Sequence, residues 1–230
     1  MAASCRNLAF LHKVSSSIEE IPFENLKTET TSHLFERKNR ELRSIRKFIG
    51  KVRGKNDFEL LYMDCFDSFY KEASHALAHL LKAEADLANT DCGMCHGAYH
   101  YHKVLILPDY SVATVNFESL CYQPYLLDLY LFLRKTLEKN HYDYAFFETG
   151  ISGYSIYRHL TEKDFLFLYL LFLYPEKFWK ISNQYYNHRK SWIPPRTLEK
   201  LQKVLAQNEE RHSFLKQFAD FLRTLNINLL

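Results

Sequence analysis

His96-Gly97-Ala98-Tyr99-His100-Tyr101-His102-Lys103, running straight into the apolar stretch Val104-Leu105-Ile106-Leu107, is the segment on which a reading of this chain turns. The aliphatic run after the loop predicts a strand, Pro108-Asp109-Tyr110 a turn, and Ser111–Phe117 a returning strand, so 104–117 reads as a β-hairpin. The end of that hairpin carries Val115-Asn116-Phe117-Glu118, and Asp128-Leu129-Tyr130 follows. Histidines and a lysine crowd the loop, while carboxylates come only later.

Around this segment the composition is that of a folded protein. The 230 residues are 47% hydrophobic and 16% aromatic, enough to bury a large core, and a single domain over 1–230 is expected. Six glycines and six prolines are too few for a loop-rich sandwich or a disordered chain. A net charge of +3 is close to neutral and does not point to nucleic acid as a partner. Five scattered cysteines, an odd number, read as reduced thiols in a cytoplasmic compartment. Met1 to His12 lacks the features of a secretory signal. The longest apolar run, Phe165 to Tyr174, is half the roughly 20 residues a membrane helix needs, so no membrane association is expected.

Helical patterning accounts for most of the remainder. Residues 4–13 form a short helix with Leu8, Ala9 and Leu11 on its apolar side. Leu42, Ile45, Ile49 and Val52 recur at helical spacing within a basic stretch from Arg37 to Lys55, stopped by Gly54 and Asn56. The clearest helix is 57–84, with Asp57 as its cap and Phe58, Leu61, Cys65, Phe69, Ala73, Ala76 and Leu80 in one stripe. Residues 18–32 and 89–94 break the pattern. After Pro124, helices are expected near 125–139, 142–157, 161–173, 175–188 and 196–227. Thr161-Glu-Lys-Asp164 opens the third as a capping box, Pro175 the fourth, and Pro194-Pro195 the last.

Six stretches then occur in a telling order: Leu8-Ala-Phe-Leu-His-Lys-Val-Ser15, Cys95 to Leu105, Val115 to Glu118, Asp128 to Lys135, Tyr174-Pro-Glu-Lys-Phe-Trp-Lys180, and Tyr185-Tyr186. In this the chain resembles the CotS family of bacterial spore coat proteins, a branch of the aminoglycoside-phosphotransferase-like kinase fold. The resemblance implies a mainly α (α+β) architecture, the helical C-terminal lobe of a protein-kinase-like fold with a small β-hairpin. Family members begin with a β-rich nucleotide lobe. No Gly-rich turn or strand-borne lysine precedes the matched region, so that N-terminal lobe is expected to be absent.

The resemblance also assigns roles. The loop aspartate of such kinases positions the acceptor hydroxyl and takes its proton, and the matching residue is Ala98. The loop asparagine and the aspartate of the second motif bind magnesium through oxygen; the matching residues are Lys103 and Asn116. No catalytic residue is expected to be intact and no cofactor is expected. His96 and Asp128 match positions that hold the loop backbone. The ammonium of Lys103 is expected to fill the metal position and pair with Glu118, against the competing reading that it points to solvent.

Other patterns lead elsewhere. Cys92-Gly-Met-Cys95-His96 is a literal haem-attachment pattern, and Cys92, Cys95, His100 and His102 are potential zinc ligands, but four ligands within so short a span are strained and no metal is expected. The basic helix reads as a solvated face. The function expected from these residues is that of a non-catalytic, pseudokinase-like protein. It would associate with other spore coat or morphogenetic proteins, or with itself over an uncovered apolar face, in the mother-cell cytoplasm or the coat. The alternative is a phosphotransferase of the aminoglycoside/choline kinase type, completed by a separate N-lobe or by rearranged metal ligands.

Overall fold

A computed structural model describes residues 1–17, 28–87, 90–187 and 196–227. The elements in chain order are α1 (Ala2–Ser15), α2 (Thr31–Gly50), α3 (Asp57–Lys82), α4 (Glu84–Leu87), β1 (Cys92–Cys95), a 3-10 turn (Tyr101–Lys103), β2 (Val104–Ile106), β3 (Val112–Thr114) and β4 (Cys121–Pro124). Then come α5 (Tyr125–Leu137), α6 (Tyr144–Ser155), α7 (Glu162–Leu173), α8 (Glu176–Asn187), α9 (Arg196–Ala206) and α10 (Asn208–Thr224). The fold is mainly helical, with two small antiparallel ladders, β1 with β4 and β2 with β3. No helix among the described residues is long and apolar enough to cross a membrane. The chain divides into two compact units, Met1–Thr28, Ala85–Phe172 and Glu210–Leu230 in one, Glu29–Glu84 and Leu173–Glu209 in the other.

In the second unit the long stripe is buried as its spacing dictates except at Leu61, which is half-buried. Phe58, Cys65, Phe69, Ala73, Ala76 and Leu80 are buried, joined by Tyr62 and Phe66. The helix start differs from the expected one. Asn56, not Asp57, is the cap: its side chain accepts from Glu59 N, and Glu59 reaches back to Asn56 N at 2.9 Å. Asp57 lies inside the first turn, where a carboxylate favours the helix dipole instead. Glu59 is itself buried, and its other oxygen accepts from Tyr185 Oη at 2.6 Å.

The Pro175-Glu-Lys-Phe-Trp179 stretch is a packing device in this unit. Phe178 stacks on Phe69 at 4.4 Å and on Tyr62 at 5.4 Å. Glu176 pairs with the buried Lys38 at 2.5 Å, whose ammonium also lies 4.3 Å over the Trp179 ring. Trp179 Nε1 donates to Glu41 at 2.7 Å. The basic helix is therefore not uniformly a solvated face: Lys38 is used in the interior, and only its neighbours meet water.

The first unit has an aromatic core in which Phe147, Phe172, Phe214 and Phe218 meet edge-on or tilted, Phe147 and Phe218 at 4.6 Å. The helix expected over 196–227 is two, broken at Gln207, and α1 is longer than expected at both ends. Pro194-Pro195, placed at the start of that last helix, and most of 18–32 lie outside the described residues.

Against α1 packs α6, and Gly153 is what lets them approach. A Cβ there would collide with the Ala2 backbone, which no rotamer change can relieve. Gly153→Ala is expected to destabilise the protein by about 1–3 kcal/mol of overpacking, outweighing the ~1 kcal/mol that alanine gains over glycine inside a helix. A urea midpoint unchanged or raised in that variant would disprove the tight approach.

Candidate functional site

The site is assembled around one carboxylate. β1 ends at Cys95 and delivers the chain into the loop, while its ladder partner β4 leads directly into α5, which carries Asp128. Asp128 is fully buried. Its Oδ2 accepts from His96 N at 2.6 Å and its Oδ1 from Gly97 N at 3.0 Å, two charge-assisted bonds that hold the loop backbone. Gly97 has φ +73°, the left-handed region, and a Cβ there would strike the Ser119 carbonyl oxygen. Only glycine serves at that turn.

His96 closes the loop from inside. Its Nδ1 accepts from Ala98 N at 3.2 Å, so Nε2 carries the proton and donates to Val115 O at 3.1 Å. That bond ties the loop to the end of the hairpin. Phe117 lies against the imidazole, ring centres 5.0 Å apart. Tyr99 is buried and donates to Ser4 O in α1 at 2.7 Å.

A residue whose role the sequence did not disclose completes the frame. His12, in α1, is fully buried. Its Nε2 lies 3.4 Å from Asp128 Oδ2 and its Nδ1 2.8 Å from Tyr154 Oη. Burial pushes the imidazole below its ordinary pKa, opposed by the hydrogen bond to Asp128, so it is neutral at physiological pH. With the carboxylate accepting, Nε2 carries the proton and Nδ1 accepts from the tyrosine. The signal was there: a histidine one turn from Leu8 and Ala9, on the face that α1 buries.

The positions that the resemblance linked to chemistry lie on the outer side of this frame. Ala98 is half-buried and has only a methyl group. Asn116 is exposed, with φ +63°. Lys103 Nζ lies 3.8 Å from Glu118 Oε2, with the lysine side chain 23% exposed and the glutamate 75%. Magnesium needs several oxygen ligands close to octahedral. An alanine, an ammonium and one neutral amide do not supply them, and the nearby Glu118 faces a lysine, so the residues present do not fit that ion.

The four potential zinc ligands are not brought together. Among the described residues, the group of metal-capable side chains that converges is His12, Cys95 and Asp128. It is buried, and Asp128 is committed to the loop amides. Burial, then the charge of Asp128, raises the Cys95 thiol far above its ordinary pKa, which opposes the thiolate a metal requires. Cys92 and His102 are exposed elsewhere.

No protein-family profile matches the chain, and no curated protein does. Solved structures do. An aminoglycoside phosphotransferase from Alicyclobacillus acidocaldarius subsp. acidocaldarius is similar with a TM-score of 0.84 and 22% identity, over 97% of this chain and 66% of that one. A spectinomycin phosphotransferase, solved in complex with ADP and spectinomycin, is similar with a TM-score of 0.65 and 12% identity, over 93% of this chain and 66% of its own. The chain thus spans just under two thirds of each neighbour's length.

These neighbours overturn the expectation of a non-enzyme. That expectation rested on three side chains and on the nucleotide lobe not found in the sequence, whereas the proteins sharing the fold across nearly the whole chain are phosphotransferases. The narrower assignment to the CotS spore coat family rests on sequence resemblance. What the comparisons establish is that the chain has the kinase-like fold of the aminoglycoside phosphotransferases.

Proposed function

We propose that this chain is the larger part of a phosphotransferase that passes the terminal phosphoryl group of a nucleotide to a hydroxyl acceptor. The observation that carries the reading is the loop held by Asp128, built intact within a fold whose neighbours are phosphotransferases. Phosphoryl transfer relies mainly on positioning and electrostatics, with little covalent work for the protein. An intact loop backbone keeps that positioning, while the missing base, whose loss costs about 10²–10⁴ in rate, and the changed metal positions slow the reaction. The enzyme proposed is slow rather than inert.

A further lobe, in the same polypeptide or in another, completes it. The hairpin offers a surface for that lobe: Ile106 is 73% exposed and Tyr110 87%, beside the exposed Leu105 and Leu107. Phe10 of α1 and Tyr157 just beyond α6 add an exposed aromatic pair 5.3 Å apart. Apolar surface of this extent marks an interface. The CotS resemblance supplies a setting for the whole assembly, the sporulating mother cell and its coat proteins.

The test is ADP release from ATP, measured with the chain alone and with a β-rich nucleotide lobe co-expressed. Slow, acceptor-dependent ADP release that rises when the lobe is present is the expected result. Absence of release in both preparations, from protein whose circular dichroism shows it folded, would reject the reading.

A further inference from the structure

The outer face of the loop gathers cations where a phosphate-handling site elsewhere gathers carboxylates around a metal. Lys103 is anchored by its backbone, its N–H donating to His100 O at 2.7 Å. His100 Nδ1 accepts from His102 N at 3.3 Å, so a neutral His100 keeps its proton on Nε2 and presents it as a donor. From the turn just beyond α5, Lys139 sets its ammonium 3.9 Å over the Tyr101 ring. Burial, and after it the neighbouring Lys135, His102, Lys103 and His96, pushes the pKa of His100 down to about 4. The carboxylate beside Lys103, that of Glu118, is mostly in solvent, and a pair of that kind is held weakly.

We propose that this loop binds the phosphates of a nucleotide or other polyphosphate directly through Lys103, with His100 donating beside it, and without a divalent cation. The phosphate displaces Glu118, exchanging one exposed anion for another with more acceptor oxygens. The ammonium of Lys103 does the charge neutralisation otherwise left to a metal. The inference deepens the phosphotransferase reading and rests on it for the class of ligand.

The experiment is calorimetric titration of the purified chain with ADP, tripolyphosphate and inorganic phosphate, each in EDTA and in magnesium. ADP or tripolyphosphate is expected to bind in EDTA, with magnesium leaving the affinity unchanged or lowering it. ADP binding tighter than tripolyphosphate identifies a nucleotide as the ligand, and equal binding identifies the phosphate chain alone; both support the proposal. Lys103→Gln is expected to weaken binding about 10–100-fold, the worth of a charged hydrogen bond. Lys103→Arg should retain most of the binding, and Lys203→Gln, which removes the same charge from an exposed position of α9, should change nothing. Binding that needs magnesium, or is indifferent to Lys103→Gln, overturns the inference and leaves the phosphotransferase reading standing. No binding in either condition, together with no ADP release, overturns both.

Discussion

Replacing Ala98 by aspartate is expected to raise the rate of phosphoryl transfer by about 10²–10⁴-fold, the range that a positioned general base contributes. The loop is ready to receive it. His96 N and Gly97 N are already fixed by Asp128, and Ala98 N by His96, so the new carboxylate would project from a backbone that does not need to move. Ala98 is only half-buried, which keeps the desolvation of a carboxylate there modest. Because the base acts in the transition state, the gain should appear in kcat with little change in KM. Steady-state kinetics of Ala98→Asp beside the parent chain, with melting temperatures to show equal folding, would measure it. A variant that folds equally well and is no faster would mean that the acceptor hydroxyl lies elsewhere than above this loop.

The largest loss of stability is expected from Asp128→Ala. The substitution strips the buried His96 N–H and the part-buried Gly97 N–H of their acceptor and leaves His12 facing a methyl group. Each orphaned donor costs about 1–3 kcal/mol, the buried His96 N–H more than the part-buried Gly97 N–H. A total of ~3–5 kcal/mol is a large share of the 5–15 kcal/mol that holds a typical domain together. Asp128→Asn should do less damage, since one amide oxygen still accepts while the NH₂ group opposes a second donor. Chemical denaturation of both variants gives the ordering; a loss below ~1 kcal/mol for alanine would show that the loop does not depend on this residue.

What could be read from the sequence follows the range of the interactions involved. The long stripe from Phe58 to Leu80 and the hairpin expected over 104–117 are local patterns; the helix and the turn formed as expected, while the strands are shorter, Val104–Ile106 and Val112–Thr114. Position-by-position resemblance located His96 and Asp128, whose bond spans the loop and the start of α5. The β1–β4 ladder was not legible. Cys92-Gly-Met-Cys95 has no alternation, and its partner Cys121–Pro124 is remote in sequence, so the pairing exists only through tertiary contact. The cap at Asn56 was misassigned to its neighbour because Asp and Asn are equally good caps, and only the reciprocal bond to Glu59 distinguishes them. The spacing of His12 from Leu8 and Ala9 marks a buried position, but its partner Asp128 lies far away in the sequence, so the pairing could not be read from α1 alone.

The carboxylate of Asp128 draws on α1, through His12, and on the strand-to-loop junction, through His96 and Gly97, before it can do anything. Those three segments are strangers in the linear chain. Transplanting residues 95–103 into another scaffold, or synthesising them as a peptide, would therefore copy letters without their geometry. The loop takes its shape from the helices around it, not from its own nine residues.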